Sequence, residues 1–172
     1  LFETHDRSRF EIFAFSFGPD TQDEMRLRLE KTFDHFLDVK DFTDSQLITR
    51  ARECDLDIAV DLTGLTKGCR PSVFLARVAP VQMSYLGYPG TTGIPQMDYV
   101  LVDKTIAEPA DAQYYTEKFI RLAHSYQAND PSRKPSDRVY SRDELGLPAA
   151  GFVFCCFNNN YKINPVMFDC WM

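Results

Sequence analysis

Short apolar runs recur along this chain at intervals that leave room for one helix or one tight loop between them, and that alternation limits the fold more than any other feature. The run from Phe10 to Phe17 alternates well enough for a strand and closes at Gly18-Pro19. Helix-forming residues follow from about Asp23 to Thr32, then a second strand at Phe36 to Val39. Thr43 and Gln46 have capping-box spacing for a helix running through Ala51 to near Cys54. Ile58 to Leu62 reads as a buried strand turning at Gly64, and Arg70-Pro71-Ser72 opens a short helix to about Val78, since proline is tolerated in a first turn. Val81 to Leu86, Tyr99 to Val102 and Phe119 to Leu122 supply further strands. Strands alternating with helices and joined by short Gly/Pro connections imply βαβ units, hence an α/β fold built on a parallel sheet covered on both faces. No internal repeat is visible, which speaks against tetratricopeptide repeats within this stretch.

The composition changes over Gln127 to Arg142, where Asn129-Asp130-Pro131-Ser132-Arg133-Lys134-Pro135 offers little apolar surface to bury and reads as a linker. Ser141 and Glu144 are spaced to cap a short helix ending at Gly146. Beyond it, Phe152 to Phe157 is a continuous apolar run of strand length, and Asn164-Pro165 combines an N-cap with proline at the first helical position. The expected organisation is a first lobe over 1–126, a linker with a short helix over 127–150, and the beginning of a second lobe over 151–172. The opening at Leu1 and the end at Cys170-Trp171-Met172, inside a starting helix, suggest a piece of a larger protein.

Charge and special residues narrow the function classes. A net charge of −6 and a pI near 5.0 give no electrostatic footprint for nucleic acid or an anionic membrane, because neutralising phosphates needs clustered Lys and Arg. No apolar run approaches the roughly 20 residues of a membrane span, and no signal pattern opens the chain, so a cytoplasmic setting is the expectation. The five cysteines contain no C-x-x-C, which speaks against a disulfide framework or zinc site. His5, His35 and His124 are isolated in the sequence. Asp55-Leu56-Asp57 matches the loose D-x-D pattern of metal-dependent glycosyl transfer, but it enters a strand at the end opposite the expected ligand crevice. No metal site is expected.

In open α/β sheets ligands bind beyond the carboxyl ends of the strands, so the loops leaving strands carry the functional reading. Thr63 to Arg70 is rich in small, hydroxyl and basic residues; it suits contact with an anion or substrate edge through its amides and Lys67, or is a plain turn with an exposed lysine. Leu86 to Gly93 has glycine at every third position, a spacing that fits neither the dinucleotide fingerprint nor the P-loop. It suits a sugar ring lying against the backbone, or merely a tight reversal of the chain. Asn158 to Pro165 crowds amides around Lys162, offering one fixed cation for a departing diphosphate, or an asparagine-rich turn with a solvated lysine.

Taken in order, these loops resemble the catalytic region of the protein O-GlcNAc transferase and SPINDLY glycosyltransferase family. The resemblance is carried by Asp61-Leu62-x-Gly64-x-Thr66 with Arg70, by Ala79-Pro80-Val81-Gln82, and by Leu86-Gly87-Tyr88-Pro89-Gly90-Thr91-x-Gly93. Met97-Asp98-Tyr99, Tyr114-x-x-Glu117-Lys118, His124 and Phe157-Asn158-x-x-Tyr161-Lys162-Ile163-x-Pro165 continue it. It implies a GT-B architecture, two Rossmann-like lobes facing a cleft, and inverting, metal-independent transfer of N-acetylglucosamine from UDP-GlcNAc to protein Ser or Thr hydroxyls. No cofactor is implied; the partners are a nucleotide sugar and protein acceptors. Within it Lys162 would stabilise the UDP leaving group and Asn159 would contact the nucleotide. Tyr161 would line the pocket, Leu86, Gly87 and Pro89 would lie by the donor, and Thr66 and Lys67 would sit on the acceptor side or its loop.

The pattern departs from the family at three places: Asn159 stands where the animal enzyme has Gln, Leu65 replaces Tyr or His, and Ala123 precedes His124 where Pro is common. The family's active-site histidine would precede Leu1 and much of its nucleotide pocket would follow Met172, so this stretch alone is expected to be inactive. GDP-fucose as donor, as in the SPINDLY branch, and a non-catalytic α/β interaction module are the alternatives.

Overall fold

The protein is described by a computed structural model covering residues 1–130 and 132–172. It divides into two compact units, Leu1–Asp130 and Pro131–Met172.

The first unit is built on parallel strands. β1 (Phe13–Ser16) pairs with β2 (His35–Asp38). A second sheet runs in chain order through β3 (Ile58–Asp61), β4 (Val81–Ser84), β5 (Tyr99–Val102) and β6 (Lys118–Arg121). Every pairing is parallel, with Asp61 opposite Ser84 and Val100 opposite both Ser84 and Phe119. Within each sheet the strands therefore deliver their carboxyl ends to the same side. The α/β class and parallel sheet expected from the alternation are present.

Local signals position the helices. α1 (Glu24–Thr32) starts where Asp23 accepts a hydrogen bond from the Arg26 amide, at 2.8 Å. Arg26, only 9% exposed, then reaches Ser16 Oγ at 2.7 Å and Asp38 at 3.0 Å, tying α1 to the carboxyl ends of β1 and β2. α2 (Asp44–Glu53) carries the full capping box between Thr43 and Gln46. Its Leu47 and Ala51 pack with Val39, Ala59 of β3 and Val73 of α3 (Pro71–Leu75) in one core. Arg70 and Ser72 at the start of α3 both grip Asp44, Arg70 at 2.7 Å, which holds α3 against α2.

α3 stops at Leu75, short of Val78. Arg77 takes a left-handed φ of 49°, which no helix continues through, and the Val78 amide turns to the side chain of Gln82 at 3.0 Å. Gln82 is fully buried; its amide nitrogen donates to the carbonyls of Phe74 (2.8 Å) and Gln96 (2.9 Å). Asp98 accepts both arms of Arg77 at 2.9 Å and the Gln82 amide at 2.9 Å. This network closes the amino ends of β4 and β5, opposite the loops of interest.

In the second unit Asn164 caps α4 (Pro165–Trp171) through the Met167 amide at 3.0 Å, as the Asn-Pro pair implies. Residues 141–146 form turns in place of the expected helix. Ser141 and Glu144 do make their reciprocal bonds (2.8 and 3.1 Å), but Gly146, at φ 63°, already closes the chain with Leu147 N to Arg142 O at 2.8 Å. Start and stop signals lie too close together for helical interior between them. Phe152 to Phe157, expected as a strand, pairs with no strand among the described residues; Phe152, Phe154 and Phe157 are 82%, 87% and 96% exposed. An apolar strand forms only where a neighbour supplies its ladder bonds.

Candidate functional site

The site is assembled where β3 and β4 end. Asp61, the last residue of β3, bends the chain by accepting the amides of Thr63 (2.9 Å) and Gly64 (3.1 Å) on one carboxylate oxygen. Gly64 sits at φ 58°, and a β-carbon there would lie 2.3 Å from Cβ of Tyr88. The loop leaving β3 and the glycine loop leaving β4 are thus in contact, and only glycine allows it. The same is true in reverse at Gly87, where a β-carbon would stand 2.1 Å from the Leu62 carbonyl oxygen.

Between these contacts the backbone makes a strained turn. The Gly87 amide donates to the Tyr85 carbonyl at 2.9 Å across a single residue, and that residue, Leu86, has a φ of 73°. A γ-turn with positive φ at its centre is the rare form, and a non-glycine residue there costs on the order of 1–3 kcal/mol unless its surroundings impose it. The surroundings do so at several points. Tyr126 donates its hydroxyl to the Leu86 carbonyl at 3.2 Å, and Tyr115 donates its own to the Pro89 carbonyl at 2.8 Å. Glu117, 4% exposed, accepts the Thr91 hydroxyl (2.7 Å), the Thr92 amide (2.7 Å) and the Thr92 hydroxyl. Burial alone would raise the Glu117 carboxyl; the hydrogen bonds from Thr92 and Thr91 outweigh it and hold the group below the usual glutamate range.

Asp103, just past β5, is the anchor behind Tyr126. Its carboxylate accepts the amides of Tyr126 (2.6 Å), Thr105 (2.7 Å) and Ile106 (3.0 Å), and those bonds depress its pKa, Tyr126 first. The result is a fixed backbone edge with Gly87 and Pro89 exposed at its rim. Thr66 donates its hydroxyl to the Thr63 carbonyl at 3.0 Å, and Lys67 is exposed beside it, its ammonium in no ion pair among the described residues.

The first unit therefore brings together Thr66, Lys67, Leu86, Gly87 and Pro89. Asn159, Tyr161 and Lys162 lie in the second unit on one short turn, a 3-10 helix over Asn160–Lys162 whose Lys162 amide donates to the Asn159 carbonyl at 3.0 Å. All three side chains are exposed. Asp55 and Asp57 lie at the amino end of β3, across the sheet from these loops, and no group of three or more potential metal-ligating side chains occurs among the described residues. Sequence reasoning did not single out Tyr126, Asp103 or Tyr115, and it gave Glu117 no role. The available signal was an aspartate directly after an apolar strand, at the ligand end of the sheet.

Comparison with known proteins places this geometry in context. Residues 1–136 match the family model described as glycosyl transferase family 41. A probable UDP-N-acetylglucosamine–peptide N-acetylglucosaminyltransferase, SEC, of Arabidopsis thaliana is 34% identical over 99% of this chain and 18% of its own length. A UDP-N-acetylglucosamine–peptide N-acetylglucosaminyltransferase of Caenorhabditis elegans is 30% identical over 95% of this chain and 14% of its own. Among solved structures, a mutant of the Thermobaculum terrenum O-GlcNAc transferase superposes with a TM-score of 0.83 at 35% identity, over 99% of this chain and 31% of that one. The chain thus spans less than a third of the length of each of these relatives.

Proposed function

The chain belongs to glycosyl transferase family 41, and from that premise we propose that the full-length protein transfers N-acetylglucosamine from UDP-GlcNAc to Ser or Thr hydroxyls of protein acceptors, with inversion and without a metal. In this reading the acceptor hydroxyl oxygen bonds to C1 of the sugar as the bond from C1 to the diphosphate oxygen breaks, the electron pair leaves with UDP, and the hydroxyl proton is released to solvent. The ammonium of Lys162 offsets the charge that builds on the departing diphosphate. A cation fixed where charge develops is the strongest general device for such a transfer. Asn159 contacts the nucleotide and Tyr161 lines its pocket, while the backbone at Leu86, Gly87 and Pro89 lies along the sugar. Thr66 and Lys67 fall on the acceptor side.

The observation that best supports this reading is the extent of the likeness: at 99% of the chain it takes in both the glycine loop and the Asn159–Lys162 turn. The test is Lys162→Ala in the full-length protein. Loss of a transition-state charge contact lowers kcat by about 10²–10³-fold with folding intact. Unchanged turnover in a folded variant removes Lys162 from the role.

A further inference from the structure

Tyr85-Leu86 and Tyr126 hold one another through reciprocal bonds. The Tyr85 hydroxyl donates to the Tyr126 carbonyl at 2.8 Å, and the Tyr126 hydroxyl donates to the Leu86 carbonyl at 3.2 Å. The two rings meet edge to face with centroids 6.3 Å apart, and the Tyr126 amide is fixed by Asp103 at 2.6 Å. Tyr126 is thus anchored through its backbone at both its N–H and its C=O, leaving its hydroxyl as the one group aimed at the loop. What it meets there is the peptide between Leu86 and Gly87. That peptide's N–H is engaged by the Tyr85 carbonyl and its C=O by Tyr126, so its plane is set from both sides while Leu86 is held at φ 73°. Strain of this kind persists only where neighbours over-determine it, and it concentrates at ligand-binding sites.

We infer that Tyr126 is a positioning residue for the donor: its hydroxyl fixes the orientation of the Leu86–Gly87 peptide, the backbone surface along which the sugar of the nucleotide donor is read. The inference rests on the function proposed above and adds to it a residue of the first unit that contacts no reacting atom. The peptide lies beside the sugar, away from the charge that develops on the diphosphate, so it serves the bound donor and the transition state alike. Losing its orientation therefore appears in KM for the donor, with kcat preserved.

Tyr126→Phe in the full-length enzyme is the test, because it removes only the hydroxyl and leaves the ring contact with Tyr85 and both backbone anchors in place. One neutral hydrogen bond corresponds to a rise in donor KM of about five- to tenfold, with kcat and acceptor KM within about twofold. Amide exchange over residues 86–88 accelerates in the same variant. Val73→Ala, a truncation in the core between α2 and α3, destabilises the same unit and leaves donor KM unchanged, which separates positioning from general loosening. An active wild type whose Tyr126→Phe variant keeps both its donor KM and its exchange rates overturns the role of Tyr126 alone. A wild type that turns over no nucleotide sugar overturns the functional reading, and the donor role of Tyr126 with it.

Discussion

Glu117 shows how much a single side chain contributes to the shape of the site. Its carboxylate is buried and accepts three hydrogen bonds from Thr91 and Thr92, so the return leg of the glycine loop is fixed by one ionised group. Those bonds need the charged form, which is why the carboxyl is held low despite its burial. A folded-state pKa below the unfolded value means stabilisation that is fully present above the ordinary glutamate range, near about 4.3, and is lost as pH falls through the depressed folded value. Urea unfolding followed from pH 7 down to pH 3 should therefore show stability falling more steeply in the wild type than in Glu117→Gln. The variant should be about 1–3 kcal/mol less stable at pH 7, where it cannot accept all three bonds. Parallel curves for the two proteins would assign the loop's rigidity to other groups.

Among the elements, β4 is the strand on which both ends of the architecture depend. Its carboxyl end opens into the strained turn at Leu86, and its amino end is secured by Gln82, whose side chain engages α3 at Phe74, the following turn at Val78 and the approach to β5 at Gln96. Gln82→Leu would leave the buried Val78 amide without a partner and take one of two donors from each of the carbonyls of Phe74 and Gln96, which keep their bonds from Arg77, a cost of about 1–3 kcal/mol. Thermal denaturation reads this directly; a variant as stable as the wild type would show that solvent reaches these groups. The element scale is also where sequence and structure agree most closely. The capping box at Thr43 and Gln46, the Asn164-Pro165 helix start and every strand of the parallel sheets were legible, because each signal lies within a few residues of the structure it produces. The roles of Gln82 and Asp98 were not legible beyond their place in a familiar pattern, and the structure shows both serving the amino-terminal side of the sheet. Tyr126 was not legible, and Asp103 showed only as an aspartate directly after an apolar strand. Tyr126 lies 40 residues from Leu86 and 23 from Asp103 in the chain, separations at which only the fold brings partners together. Phe152 to Phe157 erred in the other direction, since apolar content marks a segment able to pair but cannot supply a partner.

For the whole molecule, the chain divides its candidate residues between two units: a glycine-lined backbone edge in the first, and an amide-rich turn carrying Lys162 in the second. We propose that these serve one donor, UDP-GlcNAc, in a protein of which the chain covers a minor part of the length found in its relatives. Neither unit alone names the sugar, because a glycine-lined edge accepts many rings and a lone cation serves any diphosphate. Donor identity therefore has to be read from binding to the full-length protein. Isothermal titration calorimetry of the full-length protein with UDP-GlcNAc and, separately, GDP-fucose tests it most directly. UDP-GlcNAc should bind saturably with GDP-fucose silent; binding of GDP-fucose with UDP-GlcNAc silent would rule out UDP-GlcNAc as the donor.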